Sequence, residues 1–571
     1  MVTRINKKLN ISAGKLIELC LLYVFRLKYY YHRLLQFTPH LMRGTLHRSV
    51  ILFNNPPRLF IEFSSLNSPL PGRGRAFCSN IDDAKNKRHH RKARAVTGWS
   101  RQVAIVMGLL ILLSSCKVGK EYQRPELELP KQFSTDQAQA ISFADTSSIA
   151  DIEWKNFFSD ITLQELIQKG LQYNHDLLIA IKRIDIARLR AKQSKSLQYP
   201  EVNLLVSGQI SRPSDNSLGG ISIKSFLGKS YVENYSASVN LSWEADIWGK
   251  IRGQKEVALI DYLQTTEATK AVQTQLVADI ANGYYNLLML DKQLEIARTN
   301  YLLNDSFLLA TRLLKDAGLG TLLAVQRAES QLQTTALLIP DLEQSIALQE
   351  NALQQLTGQL PGSIRRQTSL DQFSVPDDLS TGVPIAMVSR RPDVRANELS
   401  LMISNEEVGI AKANMYPALT LTAGGGIESF MASNWFNMPG SLFGLAAGSI
   451  AQPIFRRKEL KTQYEIAKVQ REQAVIQFRQ SVLQATVEVA NALVQTDKLK
   501  QQKQIAAAQV DTLQHAVINA KLLFRADMAN YLEVITAQAT ALLAELNLAS
   551  VKRQELEARV ELYRSLGGGW K

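Results

Sequence analysis

The chain has 571 residues but only three cysteines, Cys20, Cys78 and Cys116, and only Cys116 follows residue 78. A disulfide framework is therefore excluded from the main body. Histidine is equally scarce there: five of seven lie in the first 95 residues, leaving His175 and His515 on different helical stretches. One thiol and two distant imidazoles make neither a metal cluster nor a Cys/His dyad, so no catalytic and no metal-binding residues are expected. Paired carboxylates such as Glu406-Glu407 read as a solvated helix face. The Gly-rich "TAGGGIE" (422–428) lies in a strand pattern and reads as a close-packed or bent wall rather than a phosphate cradle. Long apolar runs are missing too, since Val103–Leu113 is too short to cross a bilayer as a permanent helix.

Net charge is also missing from most of the chain. The formal +14 comes from residues 1–95, with 18 Lys/Arg against 4 Asp/Glu, leaving 48 of each sign in 96–571. Basicity confined to one end removes the case for a nucleic-acid partner of the body. Residues 1–95 read as an extension produced by a misassigned upstream start; an unusual leader and a nucleic-acid-binding tail rank behind it. Residues 96–115 then read as a signal peptide: a basic flank with Arg91, Lys92, Arg94 and Arg101, the apolar run, then Leu113, Ser114 and Ser115 before Cys116. That ending resembles the bacterial lipobox, with cleavage before Cys116 and acylation of its sulfur. Lys117 follows in place of Asp, which by the same resemblance points to the outer membrane. The covalent lipid is the only non-protein group expected, with no cofactor.

The body repeats itself. Residues 175–208 align with 392–425 without a gap, Tyr199-Pro200 falling on Tyr416-Pro417 at an offset of 217. "EADIWGKIR" pairs with "IAQPIFRRK", and "KDAGLGTLLAVQRAES" with "FRADMANYLEVITAQA". A repeat this large marks a duplicated unit. After an anchor and linker over 116–173, repeat 1 covers 174–370: a helix, a β-hairpin (200–246), a long helix (250–315) and a return helix (321–357). A linker (371–390) leads to repeat 2 over 391–567, with hairpin 417–453, long helix 456–525 and return helix 530–566, and 568–571 is a tail. Residues 250–315 hold no proline and only two glycines, while 454–566 hold neither. Good helix formers fill both stretches, and Leu287, Leu290, Leu294, Ala297 and Tyr301 step at coiled-coil spacing. Pro340 should bend or break the first return helix. Gly318 and Gly320 permit a sharp reversal in "DAGLGT". Its counterpart "ADMAN" lacks glycine, and the duplication alone places a turn there.

Four strands are expected, over 200–211, 232–246, 417–428 and 441–453. In the second, Tyr235, Ala237, Val239, Leu241 and Trp243 alternate with Ser236, Ser238, Asn240, Ser242 and Glu244. Ten to thirteen residues suit a tilted bilayer crossing, with Trp243 and Trp248 at the interface. An open sheet cannot sit in lipid, so closure must occur between copies: eight strands from two copies, twelve from three. A soluble sheet packed on helices is the alternative.

"CKVGKEYQRPELELP", "WEADIWGKIR", "SRRPDVRANE" and the duplicated unit resemble the TolC-type outer-membrane channel family over residues 113–571. The likeness is to its lipoprotein branch, the NodT-like outer-membrane factors of RND-type tripartite efflux systems. The resemblance implies a mainly α fold with a membrane β-barrel: a homotrimer with a 12-stranded barrel continued by a 12-helix α-barrel tunnel. It implies an outer-membrane location with a long periplasmic extension, and three kinds of partner: outer-membrane lipid, a periplasmic adaptor and an inner-membrane RND-type pump. Gly318, Gly320, Asp527 and Asn530 would form adaptor-docking tips. Glu533 would face the aperture as a cation-attracting ring, with Thr536 where some relatives carry Asp and Ala324 as the counterpart of Glu533 in repeat 1. The expected role is passive export of drugs or other toxic small molecules. An exit duct for secreted peptide or protein, and a soluble periplasmic coiled-coil adaptor or scaffold, are the alternatives.

Overall fold

The computed structural model describes residues 118–126, 151–373 and 391–570. The signal peptide, Cys116 and residues 1–95 lie outside the described residues.

The elements follow one another as α1 (Trp154–Phe157), α2 (Ile161–Tyr173), α3 (His175–Ser194), β1 (Glu201–Ser211), α4 (Leu218–Leu227) and β2 (Val232–Ala245). Then come α5 (Lys250–Asp316), α6 (Leu322–Leu356), α7 (Pro392–Ala413), β3 (Ala418–Ser429), β4 (Leu442–Ala451), α8 (Glu459–Arg525) and α9 (Tyr531–Ser565). The duplication is plain in the lengths: α5 and α8 both have 67 residues, and α6 and α9 both have 35. At about 1.5 Å per residue each long helix spans roughly 100 Å. Pro340 sits inside a continuous α6, so the helix is not broken there.

Three further expectations change. The linker over 116–173 contains α1 and α2, which bury Trp154, Phe158, Leu163, Leu166 and Ile167 against the middle of α5. The Asp160 carboxylate caps α2 by accepting from Leu163 N at 2.8 Å. It also accepts from the hydroxyls of Tyr284 on α5 and Thr368. The turn-rich connection of the first hairpin holds α4, capped by Ser217 and ended by Gly228 at φ 66°. The C-terminal tail is folded: Lys270 Nζ lies 4.4 Å from the Trp570 ring centroid, and Gln273 donates to Trp570 O.

The registers of "EADIWGKIR" and "IAQPIFRRK" also need correction. The long and return helices are offset by 209 residues, whereas β2 and β4 end 206 apart, so three extra residues separate β4 from α8. Helix α8 therefore starts at Glu459 rather than 456, because Arg457 (φ 49°) and Lys458 (φ 64°) are left-handed and cannot be helical. Lys458 plays the part of Gly249 (φ 77°), the N-cap of α5.

The same tertiary contact recurs in both units. Asn174, the N-cap of α3, donates through Nδ2 to Leu356 O at 2.9 Å, at the end of α6. Arg391, the N-cap of α7, donates through a guanidinium nitrogen to Ser565 O at 3.0 Å, at the end of α9. Arg391 is 4% exposed and pairs with Asp393 at 2.6 Å and Glu488 at 2.8 Å, while Arg564 reaches the same Glu488 oxygen at 3.2 Å. Burial pushes the Glu488 carboxyl up, but Arg391 and Arg564 outweigh it and hold it below the ordinary range. Three helix segments are thus tied at one buried cation. Arg391→Ala removes the Asp393 pair and leaves Glu488 with Arg564 alone, which costs about 3 kcal/mol, the low end for a broken buried pair because Asp393 keeps water access and Glu488 keeps one cation. We expect a lower thermal midpoint by circular dichroism in detergent; an unchanged midpoint contradicts this role.

Candidate conduit: sheet, helix tips and anchor strap

The four strands form one antiparallel sheet in the order β1-β2-β3-β4, leaving the outer edges of β1 and β4 without a strand partner among the described residues. Register sets Val202, Leu204 and Val206 opposite Leu241, Val239 and Ala237. Leu241, Val239 and Ala237 lie opposite Ala423, Gly425 and Ile427, which in turn meet Ala446, Gly444 and Leu442. One face is thus apolar across all four strands, and it is bare: Leu204 is 72% exposed, Ile210 70% and Ile450 74%. On the other face Ser207 and Ser236 hydroxyls meet at 2.8 Å, and Asn234 donates to Glu428 at 3.0 Å. The polar alternation read in the second strand does not extend to the edges, since Leu205 of β1 and Phe443 and Leu445 of β4 lie on the polar side.

Phe443 and Leu445 pair with Gly426 and Gly424. A Cβ on Gly426 would lie 2.1 Å from Ala237 O, and one on Gly424 would lie 2.6 Å from Asn240 Oδ1. Gly426 of "TAGGGIE" is therefore a requirement of strand packing, whereas a Cβ at Gly424 would have to displace only the Asn240 side chain. Trp243 Nε1 donates to Gln198 O at 2.9 Å. Trp248 Nε1 donates to Pro417 O at 2.7 Å, and its ring stacks on Tyr416. Both indoles sit at the helix end of the sheet, and Trp248 lines a cleft of about 510 Å³ with Glu244, Lys250, Tyr416 and Arg456 among others. Glu244 and Lys250 are paired at 3.0 Å within it.

At the far ends of the long helices the chain reverses twice in one geometry. Leu319 N donates to Leu314 O (2.8 Å) and Gly318 N to Lys315 O (2.9 Å); Met528 N donates to Leu523 O (2.9 Å) and Asp527 N to Phe524 O (3.2 Å). These are Schellman closures, with Gly318 at φ 79° and Asp527 at φ 64°. The duplication located the glycine-free turn correctly because Asp tolerates the left-handed region. Gly320 is the tighter site, where a Cβ would sit 3.0 Å from Lys315 N. Thr321 and Asn530 then cap the return helices, Asn530 accepting from Leu532 N and Glu533 N. Leu319 and Met528, equivalent positions, are 79% and 76% exposed. Glu533 and Thr536 are exposed one turn apart on α9, whereas Ala324, the repeat-1 counterpart of Glu533, is buried.

Sequence reasoning missed an N-terminal strap. Residues 118–124 run antiparallel along α7: Arg124 forks onto Glu398 at 2.7 and 2.6 Å, Tyr122 donates to Glu398 and Asn405 donates to Lys120 O. Gly119 lies against Gly409, where a Cβ would come within 3.1 Å of its Cα. The "YQRP" and "RPDVRANE" motifs were noted, but nothing in them shows that one grips the other. Cys116, Leu113, Ser114 and Ser115 lie outside the described residues. Among the described residues, no three His, Cys, Asp or Glu side chains gather as a metal site.

The outer membrane efflux protein family matches over residues 166–359 and 385–568. Cation efflux system protein CusC of Escherichia coli O6:H1 is 28% identical over 464 residues, covering 81% of this chain and 97% of the relative. The probable outer membrane lipoprotein SilC of Salmonella typhimurium is 26% identical over 467 residues, covering 81% and 97%. A crystal structure of CusC superposes with a TM-score of 0.70 at 26% identity, covering 80% of this chain and 100% of that one.

Two outcomes test this geometry. Gly426→Ala forces Cβ into the Ala237 carbonyl and should abolish correctly folded sheet in outer-membrane fractions, whereas Gly440→Ala, whose nearest atom is 3.6 Å away, should not; equal yields contradict the packing. Burial pushes the Glu398 carboxyl up, but Arg124 and then Arg395 outweigh it, so it is held below the ordinary value. The strap's contribution is then complete above about pH 4.3, the unfolded glutamate value, and is lost as pH falls through the lower folded value. The gap in thermal midpoint between wild type and Glu398→Gln should be full at neutral pH and shrink below about pH 4.3. A pH-independent gap contradicts the clamp.

Proposed function

Because the chain belongs to the outer membrane efflux protein family, we propose that it is the outer-membrane duct of a tripartite efflux system, passing small molecules outward without chemistry of its own. Three copies pool four strands each into a 12-stranded barrel, and their long helices continue it as a periplasmic tunnel. The observation that carries this reading is the sheet: one face apolar and bare, two edges open. In hydrocarbon, unsatisfied edge groups are intolerable, and only a closed barrel removes them. Twelve strands leave room for a passage lined by the Ser, Asn and Thr face.

The remaining assignments follow from that architecture. Cys116 carries the lipid after cleavage behind Ser115, in keeping with the similarity to SilC, a probable outer membrane lipoprotein. The strap runs toward the sheet end of α7, since Gly119 packs near the end of that helix. Gly318, Gly320, Asp527 and Asn530 shape tips whose exposed Leu319 and Met528 offer an adaptor apolar contact. The adaptor links the duct to an RND-type pump, which supplies the energy. Glu533 lines the aperture, and with Ala324 buried, repeat 1 adds no second carboxylate ring. Trp243 and Trp248 mark the periplasmic membrane interface.

Protein extracted from outer membrane with detergent should open ion-conducting pores in planar bilayers. Glu533→Gln should reduce cation preference or alter conductance. Absence of pores contradicts the duct; pores with unchanged currents contradict the aperture role alone.

A further inference from the structure

The chain contains the same joint twice, once closed and once open. At the closed joint, β2 ends beside the start of β3, and Trp248, three residues past the strand, stacks on Tyr416 with ring centroids 4.8 Å apart. Tyr416-Pro417 corresponds to Tyr199-Pro200, which leads into β1. The outer edge of β1, however, meets no strand among the described residues of its own chain, and Tyr199 is 65% exposed against 37% for Tyr416. Leu197 beside it is 44% exposed.

The missing half stands at the opposite edge. Strand β4 ends at Ala451, and three residues further Ile454 is 95% exposed, followed by Phe455 at 82%. Ile454 therefore occupies, counted from the strand end, the place of Trp248. The two side chains are displayed by a connection carrying three residues more than its counterpart and turned by left-handed Arg457 and Lys458. Non-glycine residues persist in that region when surroundings demand it, and among the described residues nothing covers the pair they present.

The strands alternate in direction, so antiparallel closure sets the end of β4 beside the start of β1 in the next copy. We infer that Ile454 and Phe455 of one copy dock on Leu197 and Tyr199 of the next, an apolar lock that completes the open joint as Trp248 and Tyr416 complete the internal one. Neither Ile nor Phe has the indole N–H that binds Pro417 O, so this second lock is held by ring and aliphatic contact without the hydrogen bond. The inference rests on barrel closure between copies and adds the side chains that fix its seam.

The test places a photoreactive benzoylphenylalanine at Phe455 in the full chain, co-expressed with a differently tagged copy and illuminated in membranes. The expected product joins both tags through a peptide containing Leu197 and Tyr199. Adducts found only on lipid, or elsewhere on the protein, while unheated gel samples still run as assembled copies, overturn the lock and leave closure standing. Samples that run only as single copies overturn both. Tyr199→Ser and Phe455→Ser should each lower the dissociation temperature of the assembly by a few degrees, the double variant by no more than the worse single. Additive or absent shifts overturn the pairing.

Discussion

An antiparallel sheet of four strands, apolar on one face and unpaired along both edges, is the constraint from which the rest follows. In water the bare face of Val202, Leu204, Ile210 and Ile450 invites aggregation. In lipid that face is at home, but the edges are not, because hydrocarbon supplies no partner for backbone N–H and C=O groups. Neither solvent satisfies one copy alone. Pooling strands around a shared polar lumen satisfies faces and edges together, and it supplies a passage in the same step.

The helices carry the complementary half of the design. Two units of 67 and 35 residues keep the same N-cap positions, the same reversal and the same tie between the first helix and the end of the return helix. Where the units differ, the difference has a physical counterpart. Asn174 makes a neutral hydrogen bond, whereas Arg391 anchors an ion-paired network that also reaches Glu488. The three residues added after β4 turn an internal aromatic joint into an exposed apolar projection.

Much of this was legible in the sequence because the signals were periodic or repeated. Alternation gave the strands, the lack of Pro and Gly gave the long helices, and the duplication alone placed the Asp527 turn. What escaped was local or tertiary. Helix α2 had a signature, with Asp160 as cap and Leu163, Leu166, Ile167 and Gly170 at helical spacing, but it fell outside the repeat and was taken for linker. Helix α4 was hidden by Gly219-Gly220, which read as a turn although Ser217 and Gly228 bracket a helix. Grips such as Arg124 on Glu398 join positions 274 residues apart, and no spacing rule announces them.

The most direct test of closure between copies is the mass of the detergent-solubilised protein, measured by native mass spectrometry after extraction from the outer membrane. Three copies per particle, held together until the detergent is made denaturing, is the predicted result. A single copy that stays dispersed in water once detergent is removed would contradict the account at its root.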